Sequence, residues 1–241
     1  MDVDPRADPS PADFAVPLGS GGPSALAITV LLPIMDAIEA RGRYPRSRVR
    51  NVATYAVAIA RVLELGNDAI ESIRLGALLC NLGMLRIPET ILDKAEPLTE
   101  EEQARIRHHP VYSAELLSSM PQLAAVVPLV LHHHEDWNGN GYPSGVSGDR
   151  IPLGARIIRI CETYDALTCE RPYRTAYPLG EAMKALAAGS GRQFDPRVVH
   201  AFKQSMQQEP LRDQVLDRWD SLQSSASAWR VVAATTTGLL R

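Results

Sequence analysis

From Ser24 onward, apolar residues recur at i, i+3 and i+4 in several separate blocks, the spacing that lines one face of a helix. The first block, Ala25 to Arg41, stops near Gly42, and the second runs from Val52 to Leu65 with Gly66 as its stop. A third extends from Asp68, a candidate N-cap, to about Cys80, with Leu75, Leu78 and Leu79 on its buried side. Thr99 and Glu102 make a capping box, which predicts a helix over Glu100 to Arg107. Pro110 pushes His109 out of helical geometry and opens a helix over about Val111 to Ser119. Pro121 starts the next, which runs through Val130 to a histidine cluster and bends at Pro128.

The stretch from Asn138 to Gly148, with two Asn-Gly steps and a Tyr-Pro, reads as a long turn-rich loop. Helix resumes from Leu153 to Leu167, and again from Pro178 to near Gly189. Asp195-Pro196, a cap followed by a first-turn proline, opens one more. Leu211, Val215, Trp219 and Leu222 place an amphipathic helix in the tail. No strand alternation of useful length appears. The fold class is therefore all-α, with one domain over residues 24–210. Residues 1–23, rich in Pro, Asp, Ala, Gly and Ser, are expected to be a disordered tail, and 211–241 a C-terminal helix or tail.

Composition leaves this picture unchanged but narrows the function. The chain is 45% hydrophobic and 22% charged, as a soluble globular protein is. A formal net charge of -3 speaks against a binder of nucleic-acid polymers or of anionic membranes. The three cysteines (Cys80, Cys161, Cys169) form no C-x-x-C pair and fit reduced, packed thiols. The start is acidic and Pro-rich, without a basic stretch ahead of an apolar run. A cytoplasmic protein without a leader is expected.

The chemistry gathers in few places. Five of the six histidines fall in two clusters, His108-His109 and His132-His133-His134, the second followed by Glu135 and the Gly-rich turn. Adjacent imidazoles beside a carboxylate suit Zn, Mn or Fe, and no His-Glu-x-x-His helix is present to make a zincin. Glu162 and Asp165, three apart, share a helical face on which one can serve as a carboxylate ligand. Arg171-Pro172-Tyr173-Arg174 offers two guanidinium forks and a flat ring, suited to phosphate and a stacked base.

Together these residues resemble the HD-GYP domain. The resemblance rests on His133-His134-Glu135 through Gly141-Tyr142-Pro143, Ile151-Pro152, Ala155-Arg156-Ile157, Tyr164-Asp165-Ala166-Leu167-Thr168 and Arg171-Pro172-Tyr173-Arg174. Ile87-Pro88, Lys94, Leu98-Thr99 and His109-Pro110 extend it upstream, and Phe194-Asp195-Pro196 downstream, so that it spans roughly residues 26–205. It implies an HD-superfamily helical bundle with a two- or three-metal site that hydrolyses cyclic di-GMP.

Carried over by position, the resemblance makes His109, His133 and His134 metal ligands, with Glu162 in the place of a ligating Asp. It makes Tyr142 ligand-facing, and Arg171 and Arg174 phosphate contacts. The departures fall at the centre. Cys80-Asn81 stands where the family has its His-Asp pair, Met84 where it has a lysine, Arg48 where some members have a further histidine, and Asn138 where it has an Asp. An amide bridges metals poorly, and two changes remove charge where a phosphodiester transition state needs it. The expectation is a degenerate signalling module that acts by binding cyclic di-GMP or a related nucleotide, by protein interaction, or by both. It would hold one divalent ion (Fe, Mn or Zn) or none, with Cys80 a minor candidate ligand. A GGDEF-type cyclase domain or another signalling protein is an expected partner. Residual hydrolysis at a reduced metal site is the alternative.

Overall fold

The computed structural model describes residues 31–39, 48–169 and 176–208. Arg171, Arg174 and the tail helix expected over Leu211 to Leu222 lie outside them, as do both tails. Ten helices follow one another among the described residues: α1 (31–39), α2 (Arg48–Val62), α3 (Asn67–Leu79), α4 (Glu89–Leu92), α5 (Glu100–Arg107), α6 (His109–Ser118), α7 (Val127–Leu131), α8 (Leu153–Thr168), α9 (Leu179–Ala188) and α10 (Pro196–Ser205). Tight 3-10 turns occupy Leu82–Arg86, Pro121–Leu123 and Gly148–Arg150. No strand is present among the described residues, so the bundle is all-α as expected.

The apolar pattern explains the packing. In α2 the buried side chains Val49, Val52, Ala53, Ala56, Ile59 and Ala60 keep the i, i+3, i+4, i+7 rhythm. That face meets α3, α8 and α10. Helix α8 runs through the middle, with Ile157, Ile158, Ile160, Cys161 and Tyr164 fully enclosed. The Tyr164 ring is wedged edge-on between Tyr55 of α2 at 5.2 Å and Phe202 of α10 at 5.0 Å. Each such large side chain stabilises the fold by roughly 1.5–3 kcal/mol through burial.

The caps behave as the sequence indicates at two helices. Thr99 Oγ1 accepts from Glu102 N, and Thr99 N donates to Glu102 Oε2, closing the box on α5. Asp195 accepts from Arg197 N ahead of Pro196 on α10. Elsewhere the structure differs. Helix α3 starts at Asn67 behind an extended Gly66. Asp68 therefore lies in the first turn, where its charge rather than a cap bond suits the positive helix end. The expected long helix from Pro121 is instead a 3-10 turn and the short α7. Pro128 lies in the first turn of α7, where its missing N–H costs nothing, and so starts a helix instead of bending one. His109 is the first residue of α6, not a residue expelled from it.

Candidate metal and nucleotide centre

Four backbone segments deliver the centre. The end of α5 and start of α6 bring His109, the end of α7 brings His133 and His134, α8 brings Glu162, and the end of α3 brings Cys80 and Asn81. Close backbone approach holds the last pair to the first. Gly83 lies so near α6 that a Cβ there would strike His109 O and Ser113 N. The Gly83 N–H donates to Ser113 Oγ at 2.7 Å, and that hydroxyl donates to Cys80 O at 2.7 Å.

His109 Nδ1 lies 2.8 Å from Ile106 O, and His133 Nδ1 lies 2.6 Å from Val130 O. A carbonyl oxygen only accepts, so both Nδ1 atoms carry the proton and both Nε2 atoms expose lone pairs. Those two Nε2 atoms face each other at 3.2 Å. Burial lowers the basicity of both rings, His109 to about 3, with the neighbouring His133 adding to the effect. Burial and the other two imidazoles push His134 well down too. Neutral rings with oriented lone pairs, as in His109 and His133, are what a cation requires of histidine, whereas His134 turns its Nδ1 to the Arg159 guanidinium. The ligand atoms of His109, His133 and His134 all lie within 4.8 Å of one another.

Glu162 is divided between two neighbourhoods. Its Oε1 accepts from Asn81 Nδ2 at 2.8 Å and lies 3.6 Å from Arg48 Nη2. Its Oε2 is buried without a hydrogen-bond partner, 3.7 Å from His133 Nε2 and 3.8 Å from His134 Nε2. Burial pushes the carboxyl up, but the facing His133 ring, the Arg48 guanidinium and the Asn81 amide outweigh it, and the group is held below the usual carboxylate range. An orphaned carboxylate oxygen aimed at oriented imidazoles fits one divalent ion.

A second ion of the family type does not fit as well. Cys80, His133 and Glu162 form a further group of potential donors. Burial and the Glu162 charge raise the Cys80 thiol well above its ordinary value, so the sulfur keeps its proton. Asn81 Nδ2 already covers that sulfur at 3.4 Å. Met84, in the 3-10 turn after α3, is half-buried and brings no charge.

The Gly-Tyr-Pro loop closes over the histidines. Tyr142 N donates to His134 O at 3.1 Å, and its ring stacks on His134 with centroids 4.8 Å apart. Gly141 is required, since a Cβ would run into the backbone of His134, Glu135 and Asp136. Burial raises the Tyr142 phenol to about 12, so it stays a hydrogen-bond donor. The loop is pinned from behind by Trp137, whose ring lies under Arg156 at 5.4 Å and Arg197 at 5.7 Å. Arg156 Nη1 reaches buried Asp195 at 2.7 Å. Asn138 lies on the exposed side of the loop, its N–H bonded to Arg192 O.

Three neighbours were not read from the sequence. Arg159 pairs with Asp136 at 2.8 Å and reaches His134 Nδ1 at 3.5 Å. Its i−3 spacing from Glu162 on α8 carried the signal. Arg107 lies 5.8 Å over the Tyr142 ring, and Ser113 links two backbones, with no local pattern to mark either one. No helix among the described residues is long and apolar enough to cross a membrane.

A family model for the HD domain matches residues 34–198. The cyclic di-GMP phosphodiesterase PA4108 of Pseudomonas aeruginosa is 39% identical over 152 residues, which are 63% of this chain and 36% of that protein. The cyclic di-GMP phosphodiesterase response regulator RpfG of Xanthomonas campestris is 36% identical over 188 residues, covering 71% of this chain and 50% of the relative. The chain thus spans between about a third and a half of the length of these relatives. Among solved structures, a cyclic GMP-AMP specific phosphodiesterase of Vibrio cholerae (V-cGAP3) superposes with a TM-score of 0.60 at 18% identity, over 80% of this chain and 53% of that one, which shows a shared fold. The chain belongs to the HD domain family, and its Gly141-Tyr142-Pro143 carries the HD-GYP signature.

Proposed function

We propose that this protein is a cyclic-dinucleotide-responsive signalling module with the form of a phosphodiesterase and an impaired capacity for hydrolysis. The observation that carries this reading is the hydrogen bond from Asn81 Nδ2 to Glu162 Oε1. An amide donating to the ligating carboxylate stands where a metal-bridging carboxylate would be needed, and N–H groups repel a cation. Met84 adds nothing to stabilise charge on a transferring phosphoryl group.

The relatives are named as phosphodiesterases of cyclic di-GMP, which makes cyclic di-GMP the first ligand to try. Tyr142 would donate its phenolic proton to the nucleotide at the mouth of the centre. Arg171 and Arg174 would grip its phosphates. A divalent ion held by His109, His133, His134 and Glu162 would supply positive charge next to a bound phosphate. With the Gly-Tyr-Pro loop intact, a GGDEF-type cyclase domain is the protein partner this reading favours.

Calorimetric titration with cyclic di-GMP, run beside a chromatographic hydrolysis assay, tests the proposal. Binding without turnover is expected. Arg171→Ala should weaken it roughly 10-fold, the loss of one charge-assisted hydrogen bond of about 1.5 kcal/mol. Steady conversion to the linear dinucleotide would overturn the reading. Conversion that stops on chelation would establish instead a hydrolase with a reduced metal site, an alternative supported by the convergence of three imidazoles and Glu162 Oε2.

A further inference from the structure

The two potential ligand groups overlap. His109, His133 and His134 form one, and Cys80, His133 and Glu162 the other, with His133 common to both. A pair of ions would use both groups. The second group, however, is already covered by N–H donors. Asn81 Nδ2 sits 2.8 Å from Glu162 Oε1 and 3.4 Å from Cys80 Sγ. Arg48 reaches in from the first residue of α2, with Nη2 at 3.6 Å from Glu162 Oε1 and Nε at 3.3 Å from Asp165 Oδ2. The Arg48 side chain is 18% exposed, and those of Glu162 and Asp165 are 5% and 0% exposed. Carboxyl groups this deep need a compensating positive charge, and a guanidinium, more weakly hydrated than an ammonium, is suited to supply it there.

We infer that Arg48 is a tethered cation standing in the place of a second metal ion, so that the centre takes one divalent ion, on His109, His133, His134 and Glu162 Oε2. The inference deepens the proposed function and rests on its metal centre, but its test counts ions and is independent of any nucleotide. A count of one with no nucleotide binding would sink the signalling proposal and leave this assignment standing.

Untagged protein is stripped with chelator and dialysed against excess Zn2+ or Mn2+ alone. Elemental analysis then gives the ions bound per chain. One ion is expected for the unaltered protein, and none or two would overturn the assignment. In an Asn81→Asp background, where the amide over Glu162 Oε1 is replaced by a carboxylate, Arg48→Ala should take up a second ion and gain a melting temperature that rises with Mn2+, whereas Arg48→Lys in the same background, which keeps the charge, should stay at one. A doubly substituted Asn81→Asp, Arg48→Ala protein that folds and still binds one ion would refute the inference. If that variant does not fold, Asn81→Asp carries the test with Arg48 in place. It should remain at one ion despite its new carboxylate, and two ions would refute the tethered cation.

Discussion

The two sides of Glu162 are built on opposite principles. On the histidine side, His109 and His133 give their Nδ1 protons to backbone carbonyls and turn bare Nε2 lone pairs inward. On the other side, Asn81 and Arg48 turn N–H groups inward. One half is an array of acceptors suited to a cation, and the other is an array of donors that already satisfies a carboxylate. A single side chain belongs to both, one oxygen to each. The difference teaches that the two halves of such a cluster can be oriented independently, because the direction of each histidine is set locally by the backbone next to it.

The strongest way to break this asymmetry is to cut the support of the histidine half. Asp195→Ala leaves Arg156 beside Trp137 with Asp149 as its remaining ion-pair partner and removes the α10 cap, and should cost about 2.5–4 kcal/mol in urea melts. Hydrogen exchange should rise first at the Trp137 and Asn138 amides, which bond to Gln193 and Arg192, and leave α3 protected. The same carboxylate gives a pH signature. Burial raises its pKa, but hydrogen bonds from Arg197 and Arg156 prevail and hold it low. A depressed folded pKa means this stabilisation is whole above about pH 4 and is lost as pH falls through the folded value. Urea melts between pH 5 and pH 3, with both limits set about the usual carboxylate value, should show the decline, and Asp195→Asn should flatten it.

His133→Ala comes next. It removes a completely buried Nε2, and ion affinity should fall by more than the roughly 10–100-fold that loss of an outer-shell partner costs. Competition with a chromophoric chelator measures this. Gly83→Ala tests the seam between the halves. The added methyl must displace the α6 backbone, an overpacking cost of about 1–3 kcal/mol that thermal melts would register. The smallest effect belongs to Cys80→Ser. A protonated sulfur that holds no ion should change ion affinity by no more than about 3-fold, under 1 kcal/mol. A larger loss would make the thiol a ligand and spoil the comparison.

The all-α class, the order of helices and the caps at Thr99 and Asp195 were legible because each rests on short-range periodicity or on a capping pair. The division of the Pro121–Leu131 stretch was not, since a proline reads alike whether it starts a helix or bends one. The histidine clusters announced themselves by adjacency. Their partnership with Glu162, far along the chain, came only through resemblance, as did the replacement at Cys80-Asn81. What the sequence could not supply was direction. Nothing local says that Arg48 points inward to Glu162 and Asp165, or that Arg107 lies over Tyr142, because both depend on how distant helices pack.

The contact between Tyr142 and His134 has one more consequence. The signature tyrosine and an inward-facing imidazole are joined twice, by a backbone hydrogen bond and by stacked rings. Anything that grips Tyr142 therefore also fixes the ring of His134. Free energies of two such occupants are reciprocal, so if an ion tightens the hold on a nucleotide, the nucleotide must tighten the hold on the ion by the same factor. Two occupants of this corner would then be linked in free energy through a single imidazole ring.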